Sequence, residues 1–142
     1  MIEILSKKTI NSYILEDIQK LFRQLSPNKV QIPIKDLLSE TNDSLIFACY
    51  TLNKKIVGIA SLCSYKVISG HKGWIEDVVV DLDYRGQGIG EKLIQKLIST
   101  GKEKGLTEIY LFTENEKKAA IRLYLKLGFK QRNSKLYNLK LT

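Results

Sequence analysis

Three consecutive valines, Val78-Val79-Val80, lead through Asp81-Leu82-Asp83-Tyr84 into Arg85-Gly86-Gln87-Gly88-Ile89-Gly90, after which Ile89, Leu93, Ile94, Leu97 and Ile98 recur at helical spacing. A β-branched run with no polar alternation reads as a strand covered on both faces, so the chain must build a sheet with packing on either side. A strand that ends in a glycine turn opening a helix also makes a seat for an anion. N–H groups of the first helical turn lack intrahelical partners, the helix dipole favours negative charge, and absent Cβ atoms let an oxygen approach the backbone. Arg85 adds a positive charge at the same turn.

Two phosphate-binding patterns do not fit. No Gly-Lys-Ser/Thr follows at P-loop distance. A dinucleotide-binding turn needs a third glycine three positions after Gly88, where this chain has Glu91. Glu108 stands about twenty residues on, as a ribose-binding acid does, but it begins its strand instead of ending one.

The rest of the chain surrounds this turn with alternating element types. Ile2 and Ile4 suggest a first strand, and Ile14, Ile18, Leu21, Phe22 and Leu25 a helix stopped at Ser26-Pro27-Asn28. Pro33 suits the first turn of a short helix through Leu38, closed by Thr41-Asn42-Asp43. Residues 44–65 read as a hairpin turning at Asn53-Lys54, and residues 69–73 as a polar linker into the strand that contains the valines. After the long helix come a strand over 107–113, a helix over 117–127 ended by Gly128, and one or two strands over 129–141. The order β-α-α-β-β-β-α-β-α-β predicts a mixed α+β fold. With 142 residues, 44% of them hydrophobic, the chain has enough apolar side chain for one core and is expected to form a single domain over 1–142.

Composition narrows the chemistry further. Cys49 and Cys63 lie in apolar alternating runs without a CxxC pair, and His71 is the one histidine. Two buried, reduced thiols and no metal site are expected. A net charge of +8, spread along the chain, points to an anionic ligand. Nucleic acid is not expected, because no helix-turn-helix, RNP-like or zinc-finger pattern is present. No apolar run approaches the roughly 20 residues that cross a bilayer, and Met1 to Leu5 lacks the start of a secretory signal, so a cytoplasmic protein without membrane association is expected.

The run Arg85-Gly86-Gln87-Gly88-Ile89-Gly90 resembles the Arg/Gln-x-x-Gly-x-Gly/Ala signature of the GNAT N-acetyltransferase family. The stretch from Ala119 to Phe129, with Leu123-Tyr124-Leu125-Lys126-Leu127-Gly128-Phe129, resembles that family's second signature. The resemblance implies a twisted, mostly antiparallel sheet flanked by helices and splayed between its fourth and fifth strands, with acetyl-coenzyme A in the wedge. It implies that Val78, Val79 and Val80 pair with the pantetheine arm, that Arg85, Gly86, Gln87, Gly88, Ile89 and Gly90 hold the pyrophosphate, and that Asn115 adds a polar contact. Family members are often homodimers.

Acetyl transfer to an amine needs a base, a polarised thioester carbonyl and an acid for the departing thiolate. By resemblance Tyr124 is the acid; a phenol of pKa about 10 can protonate a thiolate of pKa about 8.5. A backbone N–H near Val79 or Val80 is a candidate for the carbonyl. Glu76, Asp77 or a water is the base, with Glu76 favoured by resemblance to members carrying Ile-Glu-Asp-Val; in a regular strand the two carboxylates point to opposite faces. The resemblance implies a small-molecule amine as acceptor, held by residues within 26–33 and 131–137, where Lys29, Arg132 and Lys135 could meet an anionic group. The segment Gly73 to Val80 followed by Asp83-Tyr84-Arg85-Gly86 is also similar to glucosamine 6-phosphate N-acetyltransferases, whereas Leu123-Tyr124-Leu125-Lys126 departs from them. A coenzyme A-binding module without catalysis is the other alternative.

Overall fold

A computed structural model describes residues 1–38 and 44–142, so the expected helix stop at Thr41-Asn42-Asp43 lies outside the described residues. The chain divides into two compact units, Met1–Leu111 and Phe112–Thr142.

The first unit contains β1 (Ile2–Ile4), α1 (Ser12–Leu25), α2 (Ile34–Leu37), β2 (Leu45–Leu52), β3 (Lys55–Val67), β4 (Gly70–Val80), α3 (Ile89–Glu103) and β5 (Glu108–Tyr110). Local chemistry accounts for most boundaries. The Asn11 side chain accepts a hydrogen bond from the Ile14 N–H at 3.0 Å and so starts α1. Asn53 and Lys54, with φ of 50° and 65°, make the tight turn between β2 and β3, the twist a two-residue hairpin requires.

The sheet runs in the order β1-β2-β3-β4-β5, antiparallel at its first three pairings and parallel between β4 and β5. One face carries the core under α1 and α2, in which Ile18, Leu21 and Ile34 meet Phe47, Ile56, Ile59 and Val79. The other packs against α3, whose Ile89, Leu93, Ile94 and Leu97 are buried. The mixed α+β sheet flanked by helices is therefore the one expected. No helix of the described residues is long and apolar enough to cross a membrane.

Three expectations change. The stretch 69–73 is not a linker, because β4 begins at Gly70 and pairs with Val67, so the hairpin supplies a ladder that local polarity hides. β5 covers only Glu108–Tyr110 of the expected 107–113. The second unit contains α4 (Lys118–Lys126), after which no strand forms among the described residues. Leu136, Leu139 and Leu141 stay exposed there, so the alternation gains no burial to offset the cost of ordering a strand.

Candidate active site

β5 is short, and this shapes the site. It pairs with β4 only at Lys72↔Glu108, Gly73↔Ile109 and Trp74↔Tyr110. From Ile75 to Val80, β4 continues with no β5 residue paired to it. A strand edge of this kind presents backbone donors and acceptors to an amide-bearing ligand. The splay expected between the fourth and fifth strands corresponds to this point, where their pairing ends.

The same stretch is bulged. Ile59 lies opposite Val79 and Ser61 opposite Glu76, so Ala60 alone faces both Asp77 and Val78. Asp77 takes a left-handed φ of 53°. A bulge leaves an extra residue outside the ladder and re-aims its neighbours. The regular alternation expected for Glu76 and Asp77 therefore does not hold. Glu76 and Val79, three positions apart, share the face of Ser61 and Ile59 because the added residue restores their phase. The interruption falls at Asp77 and Val78, just before the N–H groups near Val79 or Val80 singled out from sequence.

Beyond Val80 the chain folds back on itself. The Asp81 carboxylate accepts from the Asp83 N–H at 3.0 Å, and Arg85 Nε donates to the Val80 carbonyl at 3.0 Å, which holds the guanidinium beside the end of β4. Gly86 and Gly88 have φ of 81° and 78°, values that disfavour a side chain, and a Cβ at either would meet nothing within 4 Å. Gly88 starts α3 without a side-chain cap, and the first helical bond runs from the Lys92 N–H to the Gly88 carbonyl at 3.1 Å. Arg85, Gly86, Gln87 and Gly88 are exposed, whereas Ile89 is buried.

Sequence reading missed the residue that sets the height of this turn over the sheet. A Cβ on Gly58 of β3 would stand 2.9 Å from Cγ2 of Ile89 and 3.0 Å from Cδ1 of Leu93. A glycine inside an otherwise β-branched strand was the available signal, since it marks a close approach.

Residues 12–129 match the sequence model of the acetyltransferase (GNAT) family. The chain belongs to that family. It is 31% identical over 97 residues to an uncharacterised N-acetyltransferase of Methanocaldococcus jannaschii, covering 67% of this chain and 43% of that protein. It is 39% identical over 85 residues to glucosamine 6-phosphate N-acetyltransferase of Trypanosoma brucei brucei, covering 58% of this chain and 56% of that protein. The chain thus spans about half the length of these curated relatives. The solved structure of a Trypanosoma brucei acetyltransferase matches over 99% of both chains, with a TM-score of 0.77 and 25% identity.

Against the GNAT pattern, the residues present suit a ligand that carries both amides and phosphates. The open edge of β4, the uncapped start of α3, the clear space before Gly86 and Gly88, and the Arg85 charge lie along one continuous stretch of chain.

Two carboxyls of the first unit, Glu76 and Asp77, meet at the bulge. Burial and then the neighbouring Asp77 push the Glu76 carboxyl above its usual range, while the Lys29 ammonium pulls it down. Asp77 is exposed as a residue, yet desolvation of its carboxyl raises it too, again opposed by Lys29. Lys29 lies in the loop between α1 and α2, one of the two regions indicated for acceptor contacts. Asn115 and Tyr124 belong to the second unit: Asn115 is an exposed turn residue, and Tyr124 is half-buried on α4. The Tyr124 ring meets Phe129 edge-on at 5.9 Å, and burial raises its phenol above the ordinary value.

One of the two cysteines, Cys63, differs from expectation. Cys49 is buried, its thiol pushed up to about 12 by burial and Glu3, but Cys63 is exposed. Strand alternation puts Cys63 two positions beyond Ser61, where β3 has passed the core under α1. Burial of the sulfur, followed by the charges of Glu76 and Asp77, raises the Cys63 thiol as well, so neither cysteine is set up as a nucleophile. Among the described residues no group of three or more His, Cys, Asp or Glu side chains is placed to hold a metal ion.

Proposed function

We propose that this chain is an acetyl-coenzyme A-dependent N-acetyltransferase, acting as one domain over residues 1–142 and moving the acetyl group to a primary amine of a small molecule. The observation that carries the proposal is the run from the unpaired, bulged end of β4 directly into the glycine turn and uncapped start of α3. That run offers a peptide-like edge and an anion seat in the order in which a pantetheine arm and a pyrophosphate occur.

When bound, acetyl-coenzyme A supplies an acyl group activated as a thioester. Val78, Val79 and Val80 would hold the amides through their backbone, and Arg85 to Gly90 the phosphates, with Asn115 adding a polar contact. Glu76 is the base: a carboxylate lifted by burial is a stronger proton acceptor than a solvated one. Tyr124 is the acid, since its raised phenol keeps its proton at neutral pH. The acceptor nitrogen bonds to the acetyl carbon as the C–S bond breaks. The acceptor ammonium gives up two protons, one to solvent through Glu76 and one that balances the proton Tyr124 hands to sulfur.

A second reading, glucosamine 6-phosphate as acceptor, is supported by the relative of that name at 39% identity. Both are tested by following thiol release from acetyl-coenzyme A over glucosamine 6-phosphate, aliphatic amines, amino acids, aminoglycosides and a lysine peptide. Release with one amine far above the others supports transfer and gives the acceptor class. Tight acetyl-coenzyme A binding without release for any amine would favour a non-catalytic coenzyme A-binding module.

A further inference from the structure

Beyond the core under α1, the same face of the sheet carries a second set of side chains. Lateral partners in a sheet point to one side, and Ile59, packed under α1, identifies which. Cys63 and Tyr65 of β3, Trp74 and Glu76 of β4, and Tyr110 of β5 share that side by register. The Trp74 and Tyr110 rings lie 5.3 Å apart, tilted by 32°, and Trp74 Nε1 donates to Tyr65 Oη at 3.3 Å. Tyr65 is 40% exposed, and Trp74 and Tyr110 are half-buried, so the rings form a floor that reaches solvent.

One ring of this floor meets a cation of the chain itself. The Lys72 ammonium already lies over the Tyr110 ring, 5.9 Å from its centroid, as expected for a π face meeting a positive charge. Two strand positions on, Glu76 faces the same side with Asp77 beside it in the bulge. Glu76 and Asp77 beside the aromatic floor favour a positively charged partner over a phosphate, and the cations that partner must displace are Lys29, which acts on both carboxyls, and Lys72 over Tyr110.

We infer that Tyr65, Trp74 and Tyr110 form the acceptor floor and that the acceptor is an aliphatic diamine, its reacting nitrogen at Glu76 and its second ammonium over the rings. The inference rests on the proposed acetyl transfer and deepens it. Two residues of strand span about 6.5 Å, close to the separation of the nitrogens in extended 1,4-diaminobutane. A monoamine of equal length leaves the floor unused, and a sugar phosphate brings its anion against the two carboxylates.

Trp74 is the chain's one tryptophan, so its emission reports on the floor directly. The protein is titrated with 1,4-diaminobutane, butylamine and glucosamine 6-phosphate without acetyl-coenzyme A, and steady-state kinetics follow for each. Expected are a saturable emission change with the diamine, about tenfold weaker binding of butylamine, and no response to the sugar phosphate. Trp74→Ala should raise KM for the diamine about tenfold with a smaller change in kcat, and Trp74→Phe, which keeps a π face and guards against misfolding, should restore most of it. Equal KM for diamine and butylamine, or no difference between Trp74→Ala and Trp74→Phe, overturns the floor. Thiol release fastest with glucosamine 6-phosphate leaves acetyl transfer standing and removes the diamine. Diamine binding with no thiol release from any amine leaves the floor standing and removes acetyl transfer.

Discussion

Gly58 of β3 lies so close beneath Ile89, the first residue of α3, that a Cβ at position 58 would come within 2.9 Å of the Ile89 Cγ2 atom. The missing side chain lets the helix start rest on the sheet, and the glycine turn inherits its position. Gly58→Ala should push that start outward, weaken acetyl-coenzyme A binding about tenfold and destabilise the chain by about 1–3 kcal/mol, as overpacking does. Calorimetry and denaturant unfolding measure both; unchanged affinity alongside lost stability would separate the packing from the site.

Gly88 stands at φ 78° with clear space around it, so a larger residue there meets backbone strain but no steric wall. Gly88→Glu adds that strain and places a carboxylate where the proposed phosphates sit. Acetyl-coenzyme A binding should be abolished in calorimetry while the thermal transition shifts only modestly. Full affinity in the variant would move the anion seat elsewhere.

For Glu76 the sign of the pH effect follows from its raised carboxyl. In the folded chain the ionised form is disfavoured, so a cost to stability accumulates as pH rises from the unfolded value of about 4.3 through the higher folded one. Glu76→Gln removes the charge. The variant should be more stable than the parent at pH 7, and the gain should fade once the pH is below the unfolded value. Turnover should drop about a hundredfold if the carboxylate is the base, and the acid limb of the parent's kcat/KM profile should lie above the usual carboxylate range. A gain in stability of equal size at pH 7 and pH 3.5 would show that charge is not its source.

Tyr124→Phe removes a proton donor and keeps the edge-on contact with Phe129 available. Turnover should fall about ten- to a hundredfold, the order expected for a lost general acid, with little change in acetyl-coenzyme A affinity. Parental turnover would assign Tyr124 to packing alone.

The features legible in the sequence are those encoded by neighbours along the chain. The stripe from Ile14 to Leu25 specifies α1, Asn53-Lys54 specifies a tight hairpin turn, and three valines followed by Arg85 to Gly90 specify a strand, a glycine turn and a helix. Each rests on turn chemistry or periodicity, both of which act within a few residues.

What the tertiary structure alone decided depends on partners distant in the chain. β4 starts at Gly70 because β3 continues to Val67 to meet it, and Asp77 turns left-handed because Ala60 must face two residues. Gly58 matters through Ile89, and Trp74 becomes part of a floor only when β5 brings Tyr110 beside it and β3 brings Tyr65. The segment after Gly128 shows the converse: alternation in the sequence formed no strand, because hydrogen bonds in a sheet come from a neighbouring strand and not from the strand itself.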